Sequence, residues 1–232
     1  LLAAAGRIPA IDSDDIAGVV TSSQGAEAGV WVIAEAEGLP TRFIRSVVTD
    51  DSGRYVIPDL PVARYRVWVR GYGLVDSAKV EARPGQRVSI EATPAPDAAT
   101  AARVYPAAHW YAMMKVPAAS ELAGVVPGGL DQYLGQVKNQ ACVGCHQMGG
   151  LATRTIPEEI GTFADSKEAW IRRINSGQAG ADMMARTARL GMVPIKYMAD
   201  WTDRIAAGEL PATRPERPKG VERNAVITVW DW

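Results

Sequence analysis

Two cysteines and a histidine lie close together at one point of the chain. Cys142 and Cys145 are separated by two residues, and His146 follows directly. On one turn of a helix, two thiols at this spacing lie on the same face and can add to the two vinyl groups of a haem. The adjacent histidine is then held beneath the iron as an axial ligand. The spacing therefore predicts one covalently attached haem c, with His146 as its proximal ligand.

A cysteine pair at this spacing has two other uses, half of a zinc site or a thiol–disulfide redox centre. Zinc would require two further Cys or His ligands, but the chain has no other cysteine and only one other histidine, His109. A thioredoxin-like centre belongs to a βαβ setting, whereas the surroundings of this pair have helical periodicity. The histidine that follows the pair and the helical context favour haem.

Helical periodicity covers the segment that would surround such a haem. The predicted helices are residues 130–141, 166–176, 181–190 and 194–207. Ser166 is the predicted N-cap of the second helix, with Glu168 behind it. In the last helix Trp201 shares a face with Ile195 and Met198, and we expect this face to point to the core.

The segment over residues 130–210 resembles a small class I cytochrome c. It has a helix before the cysteine pair, a long loop after it and a last helix with an inward aromatic residue, Trp201. The resemblance implies that the backbone carbonyl of a loop proline accepts a hydrogen bond from Nδ1 of the proximal histidine. Pro157 lies 11 residues after His146, where that proline is expected. Such a bond fixes the tautomer of the ring and leaves Nε2 free for iron.

The same resemblance implies a distal methionine from a loop before the last helix. Met183 and Met184 lie in this region, and we expect Met183 to bind iron because its Gly180-x-x-Met183 setting is the more open loop. On a helix, adjacent side chains point about 100° apart, so only one of the two can reach the iron. His109 is the competing ligand. Three arginines are candidate partners for the haem propionates: Arg154, Arg172 and Arg173.

The first part of the chain has the pattern of β-structure. Seven short segments rich in Val, Ile, Tyr and Trp are separated by Gly, Pro, Asp and Ser; they are residues 16–21, 29–35, 41–49, 54–57, 64–72, 77–82 and 87–92. In the fifth segment Tyr65, Val67 and Val69 alternate with Arg64, Arg66, Trp68 and Arg70, as in a strand with one face toward a core. The number and spacing of the segments predict a seven-stranded antiparallel β-sandwich.

This β-region resembles the carboxypeptidase regulatory-like domain, a transthyretin-like sandwich. The resemblance rests on residues 16–20, 49–55, 58–61, 65–67 and 71–73, which include Asp50-Asp51-Ser52-Gly53 and Asp59-Leu60-Pro61. Members of that family serve mostly as packing, adhesion or ligand-presenting modules. The resemblance therefore implies no catalytic residue in this part of the chain.

These patterns predict a multidomain β plus α chain, a β-sandwich followed by a small all-α cytochrome c domain. The predicted parts are an N-terminal segment (1–14), the sandwich (15–95), a linker that packs on the domains (96–129), the cytochrome c domain (130–210) and an extended C-terminal tail (211–232). Residues 1–6 fit either the end of a signal peptide or the start of a processed chain. Residues 226–230 read as a strand, and without a partner it would expose an unpaired edge.

Composition excludes several classes of protein. The chain has 232 residues, a net charge of −1 and 47% hydrophobic residues. This charge balance argues against a partner nucleic acid. No apolar run reaches the roughly 18 residues that span a bilayer, so we expect no transmembrane segment.

The sequence thus predicts a periplasmic or otherwise exported electron-transfer protein with one haem c. The resemblance implies export, because bacteria attach haem to this motif outside the cytoplasm. We expect its partner to be a redox protein or a further catalytic domain or subunit. Two alternatives stay open: a haem enzyme with an open distal site, and a saccharide- or protein-binding module with an aromatic platform formed by Trp31, Trp68 and Tyr72.

Overall fold

The computed structural model describes residues 10–230, so the signal-peptide-like residues 1–6 lie outside the described part. The chain forms two compact units. One unit contains the residues up to Val104 together with those from Arg214 onward, and the other spans Tyr105–Thr213. The second unit is therefore inserted into the sequence of the first. Within residues 10–230, no helix is long and apolar enough to span a bilayer.

The first unit is a β-sandwich-like region. Its elements are β1 (Ile16–Ser22), β2 (Gly25–Ala26), β3 (Trp31–Glu37), β4 (Phe43–Val48), β5 (Arg54–Ile57), β6 (Arg64–Arg70), β7 (Leu74–Val75), β8 (Val80–Ala82), β9 (Ile90–Glu91), β10 (Thr93–Pro94), the helix α1 (Ala98–Ala102) and β11 (Val226–Trp230). The seven predicted strands correspond to β1, β3, β4, β5, β6, β8 and β9. The short strands β2 and β7 lie in connections between them, and β10 follows β9.

Two sheets make up most of this unit. The larger has the strand order β11-β4-β3-β6-β8 and is antiparallel, and the smaller has the order β2-β1-β5, with β9 beside β1. The prediction of a wholly antiparallel sandwich is wrong at one place, because β9 runs parallel to β1, with Val20 opposite Ile90. The chain passes from one sheet to the other between β8 and β9, and this crossover allows β9 to run in the same direction as β1.

The alternation predicted for the fifth segment is present in β6. Tyr65, Val67 and Val69 are buried, and Arg64 and Arg66 are exposed. The inward side chains join those of β1, β3, β4 and β5 in one core. Burial of these aliphatic and aromatic side chains is the main stabilising contribution to this unit.

The segment that the sequence predicts as a C-terminal strand forms β11, and this strand has a partner in the larger sheet. It pairs antiparallel with β4, from Val226 opposite Val47 to Trp230 opposite Phe43. The rings of Trp230 and Phe43 meet edge to face at a centroid distance of 4.7 Å. β11 therefore extends the larger sheet by one strand and covers the edge of β4.

The second unit is helical. It contains α2 (Ala107–Ala112), α3 (Ala119–Leu122), α4 (Gly129–Leu134), a π-helical turn (Gly135–Asn139), α5 (Ala141–Cys145), α6 (Leu151–Arg154), a 3₁₀ turn (Glu158–Ile160), α7 (Ser166–Ile174), α8 (Gly180–Arg189) and α9 (Val193–Ala206). The predicted linker thus includes three short helices, α1 to α3. The N-cap of α7 is Asp165 and not Ser166, because the Asp165 carboxylate accepts the backbone N–H of Glu168 at 2.9 Å.

The core of the helical unit is rich in aromatic side chains. Trp201 in α9 is fully buried, as its inward position in the sequence predicts, and its Nε1 donates to the carbonyl of Trp110 at 2.8 Å. Trp170 in α7 donates from Nε1 to the hydroxyl of Thr202 at 3.1 Å. These bonds satisfy two indole donors that burial would otherwise leave unpaired, and they connect α9 to α2 and α7.

Candidate functional site

The cysteine pair lies on a short helix that ends at the histidine. Both cysteines are in α5, three residues apart and therefore on one face of the helix. The last turn is closed by the N–H of His146, which donates to the carbonyl of Cys142 at 3.0 Å. His146 itself has extended backbone angles, φ −123° and ψ 137°. The chain therefore turns away from the helix at the histidine, directly after the two cysteines.

These three side chains line a cavity of about 420 Å³ inside the helical unit. This volume lies in the range of roughly 300–1,000 Å³ that is typical of small-molecule and cofactor sites. The wall is contributed by the π-helical turn and by α5, α7, α8 and α9, and most of it is apolar, with Val137, Trp170, Ile174, Leu190 and Met198 among its residues. The cavity therefore suits a largely apolar ligand.

The two thiols differ in their surroundings. Both are free, and Cys142 is half-buried whereas Cys145 is exposed. Burial raises the pKa of the Cys142 thiol, and the neighbouring Cys145 raises it further. Within the described part of the chain the ring of His146 has no hydrogen-bond partner, so both of its nitrogens are available to a ligand.

Met183 lines the same cavity and is half-buried. The sequence predicts it in an open loop, but the structure places it in the first turn of α8, where its N–H donates to the carbonyl of Ala179 at 2.9 Å. Its own carbonyl accepts the hydroxyl of Thr187 at 2.9 Å. The backbone of Met183 is therefore fixed, while its flexible thioether remains at the cavity wall.

Two further methionines line the cavity and were not among the predicted ligands. Met148 lies two residues after His146, and its N–H donates to the His146 carbonyl at 2.9 Å. Met198 was assigned to the core from its helical spacing, and it is both buried and part of the wall. The position of Met148 directly after the cysteine motif is the only sequence signal that could have suggested its role.

Other predicted residues lie away from the cavity. Its wall does not include Met184, Pro157 or His109. The carbonyl of Pro157 accepts the N–H of Ile160 at 3.3 Å, in the 3₁₀ turn. His109 lies in α2, with its ring centroid 6.2 Å from that of Tyr105. The structure therefore brings together Cys142, Cys145, His146 and Met183, and the bond from His146 to Pro157 stays a prediction.

Of the three arginines predicted as partners of the haem propionates, one lines the cavity and two do not. Arg173 lines the cavity, and its guanidinium donates to the carbonyls of Thr155 and Ala152. Arg154 lies 4.0 Å from the centroid of the Trp110 ring, and Arg172 is exposed on α7. Neither of these two is part of the cavity wall, whereas Arg186 of α8 is.

The donor set fits a covalently attached haem. Two thiols on one helical turn supply the points of attachment, an imidazole without another partner supplies a nitrogen ligand, and a thioether lies in the same apolar cavity. A structural zinc site needs four ligands, usually Cys or His, and among residues 10–230 no three His, Cys, Asp or Glu side chains are grouped to hold a metal ion.

The aromatic side chains named for the sandwich do not form an exposed platform. Trp68 is buried, and Lys79 covers its ring at 4.1 Å from the centroid. Trp31 and Tyr72 are half-buried and meet edge to face at 5.0 Å. These contacts are those of packed side chains.

Comparison with known proteins identifies the first unit. Residues 15–94 match the family model of the carboxypeptidase regulatory-like domain, which confirms the resemblance drawn for this part of the chain. The match covers the strands β1 to β10 and does not extend to the helical unit. No curated protein matches the sequence.

Several solved structures are similar to the chain over about a third of its length. An N-terminal and a C-terminal interface mutant of a type II cohesin–X-dockerin complex from Acetivibrio cellulolyticus are 20% and 22% identical, with TM-scores of 0.26 and 0.24. In both cases the match covers 34% of this chain. It covers 57% of the matched chain in the first structure and 56% in the second. The Bacillus anthracis TIE protein is 19% identical with a TM-score of 0.25, over 35% of this chain and 16% of that one. At these TM-scores the similarity supports no functional argument.

Proposed function

We propose that the protein transfers electrons and that its helical unit carries one covalently bound haem c. A single observation carries the proposal: the predicted attachment and ligand residues Cys142, Cys145, His146 and Met183 line one apolar cavity. These residues are up to 41 positions apart in the sequence. Their common location supports a single site that uses all four.

Each of these side chains has a role that follows from its chemistry. Cys142 and Cys145 would hold the group through two thioether bonds, so that it could not dissociate. His146 would supply a nitrogen ligand and Met183 a soft thioether ligand, a set that favours ferrous iron. The bound group supplies a one-electron carrier.

The cavity wall supports a carrier more than a catalyst. Its apolar residues exclude water from the ring, and a low local dielectric favours the less charged, reduced state of the iron. If Met183 held the iron together with His146, no ligand position would remain for a substrate. Little change of ligands on reduction also means little rearrangement of the protein, as fast electron transfer requires.

The location and partner follow from the same proposal. Haem attachment to this motif takes place outside the cytoplasm in bacteria, as the resemblance to class I cytochrome c implies, so we place the protein in the periplasm or another exported location. Its partner is a redox protein or an associated oxidoreductase domain or subunit. The sandwich acts as a packing or ligand-presenting module.

Optical spectroscopy tests the proposed function directly. The full chain is produced in a bacterium that can attach haem c, and spectra of the oxidised and reduced protein are recorded. We expect the bands of haem c, together with a weak band near 695 nm in the oxidised form, a feature that the resemblance implies for methionine ligation. A colourless protein would refute the proposal. Ready binding of carbon monoxide by the reduced protein would favour the haem enzyme.

A further inference from the structure

The two edges of the larger sheet differ in length and in chemistry. At one end β8 has three residues, includes Glu81, and is flanked by Lys79 and by Arg83-Pro84. A short strand with charged side chains and a nearby proline is protected against pairing with another chain. At the other end β11 has five residues, Val-Ile-Thr-Val-Trp, with neither a charge nor a proline. The larger sheet is therefore protected at β8 and unprotected at β11.

Strand β11 is paired on one side only. It forms an antiparallel ladder with β4, and within residues 10–230 no strand lies along its other side. On that side the backbone N–H and C=O groups that point away from β4 face solvent. They are the groups with which a further strand would form a ladder.

Apolar side chains are exposed on both faces of β11. Val226 and Trp230 lie on the face of the buried side chains of β4, whereas Ile227 and Val229 lie on the outer face of the sheet. Each of these four residues is 45% to 50% exposed. Only Thr228 interrupts them in sequence. The strand thus leaves apolar surface in water on both faces, and another apolar strand beside it would cover part of this surface.

The sequence of β11 is complementary to a second copy of itself. In an antiparallel pair with Thr228 on a two-fold axis, this threonine faces its own equivalent. Ile227 then lies opposite Val229 of the second copy, and Val226 lies opposite Trp230. Apolar side chains meet apolar side chains on both faces of the pair, and a threonine–threonine pair is itself favourable.

The charges near β11 do not oppose such a pair. Arg223, which precedes the strand, forms an ion pair with Asp51. Arg45 on β4 donates from Nε to the hydroxyl of Thr228 at 3.1 Å. Two copies of Arg45 would be three strand spacings apart, roughly 14 Å, which exceeds the Debye length of about 8 Å at physiological ionic strength. Repulsion between the copies is therefore weak.

We propose that β11 is a contact between two copies of this chain, which pair antiparallel through the free edges of their larger sheets. A two-fold contact uses the same edge in both copies, so it closes as a dimer. The protected edge at β8 prevents further growth of the joined sheet. All residues of this contact belong to the first unit. The inference therefore goes beyond the proposed function and does not depend on a cofactor.

The contact is small, and its size sets the expected affinity. A strand of five residues is about 17 Å long, and its pairing covers less surface than the roughly 1,200–2,000 Å² of a standard stable interface. We therefore expect a dimer in exchange with its monomer, with a Kd on the order of 10–100 μM.

A purely local role for the apolar residues makes a different prediction. Val and Ile favour extended backbone, and Trp230 packs against Phe43 within the same chain. If the residues of β11 served only to hold this strand on β4, the chain would be a monomer at every concentration. Charges introduced on the outer face of β11 would then have no effect on the state of association.

The test is sedimentation velocity of the full chain between about 1 and 500 μM, a range that includes the expected Kd. In the variant Ile227→Lys/Val229→Lys, each introduced lysine stands opposite an introduced lysine of the second copy. In Ile227→Lys/Val229→Glu, each introduced charge stands opposite one of the other sign. The control, Val62→Lys/Val116→Lys, adds two charges at exposed valines outside β11. Urea denaturation of each variant shows that the sandwich remains folded.

We expect the two-lysine variant of β11 to raise the Kd at least tenfold, because like charges directly opposite each other destabilise a strand pair. The lysine–glutamate variant should restore the Kd to within about fivefold of the wild-type value at low salt and lose part of this gain as salt is added. Both variants replace the same two apolar residues, so a difference between them reports the register of the pair. The control should change the Kd less than twofold.

Amide hydrogen exchange locates the contact in the same samples. The amides of residues 226–230 should exchange more slowly at high than at low protein concentration. A wild-type chain that stays monomeric throughout the range would overturn the proposal and leave this edge to a strand of another protein. Equal dissociation of the two β11 variants, or a dimer whose β11 amides are not protected, would overturn it as well. A chain that dimerises in this way without covalent haem would refute the proposed function and leave this inference standing.

Discussion

The two cysteines of α5 make separate contributions to attachment, because each thiol forms one thioether bond. We expect Cys142→Ala or Cys145→Ala to leave a single bond to haem, and the double variant to hold no haem covalently. The measurement is the mass of the denatured chain together with its haem stain after acid–acetone extraction. Val143→Ala, on the same helix between the cysteines, is the matched control and should retain both bonds. Wild-type protein that gives up its haem to the extraction would contradict the prediction.

The adjacent methionines provide an internal comparison for the distal ligand. Met183 lines the cavity and Met184 does not. We expect Met183→Ala to open the reduced protein to carbon monoxide and to lower the reduction potential by on the order of 0.1 V, since axial ligands tune haem potentials over about 0.8 V. Met184→Ala should change neither quantity.

The reverse result would assign the ligand to Met184 and require α8 to rotate in the haem-loaded protein. If neither substitution changes the spectrum, His109 becomes the ligand to test, although it lies outside the cavity wall. The carbon monoxide difference spectrum and a potentiometric titration distinguish these cases.

At the scale of the elements, the C-terminal segment is attached to the sandwich through a partly buried ion pair. Glu27 is only 4% exposed, and its carboxylate lies 2.5 Å from Nη1 of Arg217. Arg217 also donates from Nε to the carbonyl of Tyr72 at 3.0 Å. Removal of the arginine leaves a buried carboxylate without its charged partner, which is strongly unfavourable.

We expect Arg217→Ala to lower the free energy of unfolding of the sandwich by about 2 kcal/mol, less than for a fully buried pair because the arginine is partly exposed. Urea denaturation measures the change. The control is Arg70→Ala, which breaks the exposed pair with Asp76 and should cost at most about 1 kcal/mol. Equal effects of the two substitutions would show that the Glu27 pair contributes no more than a surface pair.

The elements also show what the sequence can predict. Period-2 alternation located β6, and helical spacing located α7, α8 and α9, because both signals depend on neighbours within a few residues. The pairing of β11 with β4 was missed, since local patterns carry no information about a partner about 180 residues away. The parallel register of β9 was missed for the same reason.

The sequence indicates one part of the candidate site and does not indicate the rest. The sequence signal at Cys142, Cys145 and His146 is a local spacing, and the three residues line one cavity. Which other side chains line that cavity depends on the packing of α7, α8 and α9. Spacing alone therefore could not distinguish Met183 from Met184 at the wall, nor add Met148 and Arg186 to it.

At the scale of the whole molecule, the sandwich is completed by residues that follow the helical unit in sequence. The span that matches the sandwich family ends at residue 94, but β11 and Arg217 belong to the same compact unit. We expect residues 10–104 alone to unfold at lower urea concentration than the sandwich of the full chain, because the edge of β4 is then uncovered.

A synthetic peptide of residues 214–230, added in trans, should bind this truncated chain and restore part of its stability. A peptide in which Arg217 is replaced by alanine is the control and should restore less. If residues 10–104 are as stable as the sandwich of the full chain, the C-terminal segment contributes nothing to the fold. Urea denaturation followed by circular dichroism decides between these results.

The two units should also respond differently to haem. The apolar cavity of about 420 Å³ is open to solvent on one side, so without an occupant its apolar wall stays in contact with water. An occupant that covers this wall would stabilise the helical unit through the burial of apolar surface. The helical unit is thus expected to need an occupant of this cavity in order to pack, whereas the sandwich has a closed core of its own.

Differential scanning calorimetry and near-ultraviolet circular dichroism of the full chain test this dependence. With haem attached, we expect separate unfolding of the two units. In the Cys142→Ala/Cys145→Ala variant, produced without haem, the transition of the helical unit should weaken or disappear and the signals of its buried tryptophans, Trp170 and Trp201, should be lost. The sandwich transition should stay within about 2 °C, because an independent unit gains nothing from a ligand bound elsewhere. A helical unit that melts at the same temperature with and without haem would show that its fold does not depend on the cavity's occupant.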